Sequence, residues 1–169
     1  MKRCMILIAL TLLLVGCGGP TTPAPDLEAT HAAALLTPGT RAREVAADAL
    51  PEFGRNPPML TGFTESADEI TVQWALGEED IRSLLLISAR RDVLTMAQAL
   101  WEAGYNSQTY VFSGTYRTVE FQGGQVYEDQ VILVILHPDT TGRIVWDGFS
   151  TDDLPTIADT YWQHPDFTP

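Results

Sequence analysis

Two copies of one triplet, His137-Pro138-Asp139 and His164-Pro165-Asp166, place imidazole and carboxylate groups side by side. Both groups bind zinc-like cations well, but structural sites draw their ligands from tightly spaced positions. These two histidines stand 27 residues apart. Each triplet therefore reads as a turn in which proline sets φ and aspartate bonds the backbone. Neither a metal nor any other cofactor is expected.

Acids form three further clusters, Glu78-Glu79-Asp80, Glu128-Asp129 and Asp152-Asp153. Paired carboxylates can act as acid and base in glycoside hydrolysis, and oxygen clusters can bind calcium. No segment carries the alternating acids and central glycine of a calcium loop. The first and third clusters fall at expected helix starts, where the helix dipole favours negative charge, and the second follows a hairpin turn. Glu78, Asp80, Glu128 and Asp129 are the candidates for a carboxylate-dependent hydrolase. The other catalytic schemes lack their parts. There is no Gly-x-Ser-x-Gly elbow and no glycine-rich phosphate loop with a following lysine. Arg90-Arg91 sits mid-helix beside Asp92, where charge pairs usually form the wet face.

Aromatic residues crowd one region: Trp101, Tyr105, Tyr110, Phe112, Tyr116, Phe121 and Tyr127. Such a stripe can line a groove for a sugar, a peptide or an apolar ligand, which makes Trp101, Tyr110, Phe112 and Tyr116 the ligand-binding candidates. The competing reading is core packing and cross-strand pairing, because one strand face must pack on a helix.

The elements that would position these groups follow from periodicity. Residues 26–36 are alanine-rich and suggest a short helix. Thr40 is placed to cap a second helix, 41–50, which Pro51 stops. Residues 51–68 read as irregular. Ile70, Val72 and Trp74 alternate with polar neighbours as a strand. From Ile81, the apolar set Leu85, Ala89, Val93, Met96, Ala97, Leu100 and Trp101 forms a helical stripe, with Gly104 as its stop. Tyr110, Phe112, Gly114 and Tyr116 share a strand face, and Gln122-Gly-Gly-Gln125 turns the chain into a return strand, 126–136. Val131 to Leu136 is apolar on both faces, the pattern of a strand covered on both sides. Arg143 to Trp146 suggests a fourth strand, and Thr151 or Asp152 could cap a last helix through Tyr161, with Trp146 and Trp162 anchoring it. The expected fold is α+β: a two-layer sandwich of an antiparallel sheet of about three or four strands against a long helix and a C-terminal helix.

The N-terminus carries a different kind of signal. Lys2 and Arg3 precede an 11-residue apolar run, Met5 to Val15, too short to span a bilayer. The run ends at Leu14-Val15-Gly16-Cys17, which resembles the lipobox of bacterial lipoproteins. That resemblance implies cleavage before Cys17, a lipid on its sulfur, and a domain anchored to a bacterial membrane and facing outside the cytoplasm. Gly18 stands where an aspartate would favour inner-membrane retention. The implied organisation is a signal peptide, 1–16, a lipid-anchored tether, 17–39, rich in glycine, proline and threonine, and one domain, 40–169. Leader removal takes away Lys2 and Arg3, so the net charge goes from −12 to −14 and no lysine remains. Such acidity repels nucleic-acid phosphates and anionic head groups alike. With Cys4 in the leader and Cys17 acylated, the domain has no disulfide and must be held by burial alone. The expected function is non-enzymatic binding or assembly in the cell envelope, with an envelope protein or a small ligand as partner; the alternative is a hydrolase of envelope glycan.

Overall fold

The computed structural model describes residues 38–52, 56–77, 82–119 and 126–167, which belong to one compact unit. In chain order they form α1 (Pro38–Asp48), β1 (Met59–Glu65), β2 (Glu69–Ala75), α2 (Arg82–Glu102), β3 (Thr109–Val119), β4 (Val126–Leu136), α3 (Pro138–Thr141), α4 (Leu154–Ile157) and β5 (Thr160–Gln163). A 3₁₀ turn, Pro165–Phe167, follows. The chain is an α+β fold. The five strands among the described residues lie in the order β1-β2-β3-β4-β5.

The sheet is mixed rather than antiparallel. β2 and β3 are parallel, while the other three neighbouring pairs are antiparallel. A parallel pair needs a long crossover, and α2 supplies it. Its stripe behaves as the 3.6-residue period requires: Leu85, Ala89, Val93, Met96, Ala97 and Leu100 are buried against Ile70, Val72, Trp74, Tyr110, Phe112, Ile132, Val134 and Leu136. Each large side chain fully hidden in this way contributes about 1.5–3 kcal/mol. α2 ends in a Schellman arrangement, with the Tyr105 N–H on the Leu100 carbonyl and the Gly104 N–H on that of Trp101. Gly104 accommodates this because it takes φ +94°. The four-residue block Leu84 to Ile87, equally suited to a strand, is helical, with Leu85 and Leu86 buried and Leu84 and Ile87 exposed.

One close approach fixes the middle of the sheet. Trp74 lies across Gly114, where a Cβ would stand 2.8 Å from both Trp74 Cζ2 and Ile132 Cγ2. The Trp74 and Phe112 rings meet edge to face at 6.5 Å, and those of Tyr110 and Phe112 at 6.1 Å. Beside Gly114 the ladder slips, its partner changing from Ile132 to Gln130 at Thr115. Val131 is thus an extra residue, and this bulge lets both Val131 and Ile132 be buried. It also corrects the expectation that β4 is covered on both faces. Leu133 and Ile135 are half-buried, on a second face shared with Thr71, Gln73, Val111 and Ser113, none fully buried.

The periphery departs most from the sequence reading. The stretch read as irregular contains β1, whose alternation is broken by a bulge between Leu60 and Gly62. The first described helix begins at Pro38, so Thr40 lies inside it. Residues 143–146 form no strand, and instead of a helix through Tyr161 there is one turn, α4, followed by β5. Tyr161 and Trp162 are strand formers, and they complete the sheet opposite Val134 and Leu133. The expected helix over 26–36, the 122–125 turn and the leader lie outside the described residues.

Candidate functional site

Unequal strand lengths create a cleft at one end of the sheet. β3 and β4 each run 11 residues, whereas β1 and β2 run 7. The β2–β3 ladder ends at Ala75 opposite Thr115, with one further rung from the Leu76 N–H to the Thr115 carbonyl at 2.8 Å. Tyr116 and Arg117 therefore project past the end of β2. Met59 opens β1 opposite Ala75, and Asn56-Pro57 leads into it. Together these residues and Leu76 line a cleft of about 400 Å³, within the roughly 300–1,000 Å³ typical of small-molecule sites. It lies beyond the carboxyl end of β2, alongside the part of β3 that runs past it.

The described lining is mostly apolar. Met59 is 59 % exposed at the mouth, while Leu76 is buried. The Tyr116 ring is braced edge to face by Phe167 at 6.5 Å. Arg117 is exposed and stands opposite Glu128 in the β3–β4 register. The Glu128 carboxylate, however, accepts a hydrogen bond from the Thr115 hydroxyl at 3.1 Å. No histidine, thiol or carboxylate occurs among the described residues lining the cleft. The arrangement can hold an apolar group and meet a negative one. A second hollow, about 190 Å³ between α2 and the segment carrying Trp146 and Phe149, falls below the usual ligand range.

The four aromatic candidates separate cleanly. Tyr110 and Phe112 are fully buried, and the Tyr110 hydroxyl donates to the Tyr105 carbonyl at 2.6 Å. Burial pushes the Tyr110 phenol far above its ordinary range, so it acts as a neutral core hydroxyl. Trp101 is half-buried, beneath Gly142. Tyr116 alone of the four lines the cleft.

The described carboxylates do not converge. Glu128 and Asp129 are strand neighbours and project to opposite faces. Asp152 forms an ion pair with Arg90 at 3.6 Å, whereas Glu128 accepts from Thr115 on β3. Asp153 holds the N-cap position of α4 without a side-chain cap bond. Glu78 and Asp80 lie outside the described residues. Arg90 is not part of a wet face. Its Nε donates to the Tyr161 hydroxyl at 2.8 Å, its Nη2 donates to Gln163 Oε1 at 3.1 Å, and its guanidinium lies 5.5 Å from the Tyr161 ring centroid.

The two His-Pro-Asp turns are built differently, and neither uses its own aspartate as the cap. At the first, Asp159 accepts the His137 N–H at 2.7 Å and the Thr140 hydroxyl at 3.0 Å. Partial burial opposes ionisation of Asp159, but these two donors and the nearby His137 ring outweigh it and hold the carboxyl below its usual range. At the second, His164 Nδ1 accepts the Asp166 N–H at 3.2 Å. His137 follows the end of β4, whereas the His164 N–H bonds the Val131 carbonyl. Six residues of strand, roughly 20 Å at ~3.3 Å per residue, separate the histidines, so they cannot share a metal. Among the described residues no group of three or more His, Cys, Asp or Glu is placed to hold one.

Sequence reasoning missed Met59, Asn56 and Arg117. It also missed Asp92, 2 % exposed, whose Oδ2 accepts the Trp74 Nε1–H at 3.3 Å. A signal for Asp92 was present: it lies seven residues after Leu85 and four before Met96, inside the buried stripe.

Scans of family models, curated proteins and solved structures find nothing that matches this chain.

Proposed function

We propose that this chain is a membrane-tethered lipoprotein whose folded domain binds a small, largely apolar molecule in the cleft between Met59, Leu76, Tyr116 and Arg117. The cleft carries this reading: its size and apolar lining suit a ligand, and exposing Met59 to water has no benefit for the fold. The leader resemblance supports the tether and a position outside the cytoplasm. Hydrolysis of envelope glycan is the weaker alternative, because its described candidates, Glu128 and Asp129, face opposite ways.

Nile red, an uncharged apolar dye that brightens in apolar sites, tests the binding reading. Native protein should enhance its emission, and Met59→Asp should reduce the enhancement at least fivefold while leaving the circular dichroism spectrum unchanged. Equal enhancement by the folded variant would remove the cleft from consideration. Release of reducing ends from purified cell-wall glycan, abolished by Glu128→Gln, would establish the hydrolase instead.

A further inference from the structure

Resting on the cleft as the binding site, we propose that its ligand is an anionic amphiphile, an apolar body ending in a carboxylate, and that Arg117 recognises the anion. Three observations converge. Among the described residues that line the cleft Arg117 alone is charged, and only Asn56 and Tyr116 add further polar side-chain groups. The natural internal partner of Arg117 is Glu128, directly across the strand pair, and directly opposed opposite charges on neighbouring strands usually interact. Here the Glu128 carboxylate is bonded by Thr115 instead, and among the described residues no ion pair joins Arg117 to any acid. The third observation concerns placement. Arg117 follows Tyr116 beyond the last β2 rung, so it borders the cleft where no β2 backbone flanks β3. A guanidinium meets a carboxylate through two parallel N–H donors, and it is less tightly hydrated than an ammonium. It is therefore suited to a site where the ligand's apolar body displaces water.

The surrounding charge sharpens the choice. The chain carries 22 acids against 10 bases, a balance that disfavours anions near most of its surface. A cation among the residues that line an apolar cleft makes that cleft the favoured exception. A cationic ligand would be drawn to the acids elsewhere and repelled by Arg117; an uncharged one would leave Arg117 unused.

Octanoate and octanol differ only at the end that Arg117 would read. Titrated separately into the purified full chain, with the Met59 methyl resonance as the local reporter, octanoate should bind at least tenfold more tightly than octanol. Arg117→Gln should reduce that preference to under twofold, chiefly by weakening octanoate. Acetate, which carries the anion without the chain, should not perturb Met59. Equal affinity for octanoate and octanol in the native chain would overturn the anionic assignment and leave the cleft reading standing. A Met59 resonance unmoved by either molecule would overturn both. Preference for octanoate that persists in Arg117→Gln would also overturn the assignment, since the anion would then be read elsewhere.

Discussion

Asp159 shows how a single residue holds a turn that sequence grammar assigned to its neighbour. The local logic of His137-Pro138-Asp139 favours Asp139 as the cap, since an aspartate two residues into a turn usually bonds the backbone. The observed acceptor lies 22 residues downstream of His137, and it bridges the His137 N–H, just ahead of α3, and the Thr140 hydroxyl. Asp159→Ala should destabilise the fold by about 1 kcal/mol at pH 7, the usual net contribution of a hydrogen bond. The pH dependence follows from the sign of the shift. The folded-state pKa lies below the ordinary value, so ionisation favours the fold. The contribution is complete above the unfolded carboxyl value of about 4, and is lost as pH falls through the lower folded value. Urea midpoints of native and Asp159→Ala protein should therefore differ most at neutral pH and draw together in acid. A gap that stays constant from pH 7 to pH 3 would show that ionisation of Asp159 contributes nothing.

At the scale of elements, the weakest strand is held from the opposite layer. β5 has four residues, pairs with β4 alone and alternates between exposed and half-buried positions. Arg90 of α2 clamps it through Tyr161 and Gln163. A hydrogen bond involving a charged group contributes about 1.5–3 kcal/mol, and the lower figure suits a site at the edge of the core. Arg90→Met keeps the apolar stem and removes the donors. Amides of residues 160–164 should then exchange about tenfold faster, with β3 amides unaffected; uniform acceleration would mean that Arg90 supports the whole fold instead. The same elements show what was legible from sequence. β2, α2 and β3 were readable because one face of each is buried, so burial imposes period two or 3.6 on the residue types, and β4 from its unbroken apolar run behind a glycine turn. β1 was hidden because its bulge after Leu60 breaks the alternation, and β5 because four residues are too few to display a period. Of the cleft, sequence supplied Tyr116. Arg117 looked like any polar strand position, since its role arises from β2 stopping short of β3, a relation between two strands that neither strand's sequence records.

For the molecule as a whole, charge and attachment pull in opposite directions. Without Lys2 and Arg3 the chain carries a net −14, and an acidic protein is repelled by the anionic surface of most bacterial membranes. No described helix is long and apolar enough to cross a membrane. If the protein is found in the membrane fraction, neither surface charge nor a described helix explains it, and the sulfur of Cys17 becomes the natural point of attachment. A single acyl chain gives marginal binding, whereas two or more hold stably, so a fully processed lipoprotein should resist washing with high salt. Native protein should accordingly partition into the detergent phase on phase separation, and its N-terminal peptide should begin at Cys17 with the added mass of acyl chains. Cys17→Ser should shift the protein to the aqueous phase. Salt-extractable native protein would indicate electrostatic association with a partner, and unchanged detergent partitioning of the variant would place the anchor outside Cys17. Either result would remove the Cys17 anchor from the proposed function while leaving the cleft and Arg117 to be judged by ligand binding alone.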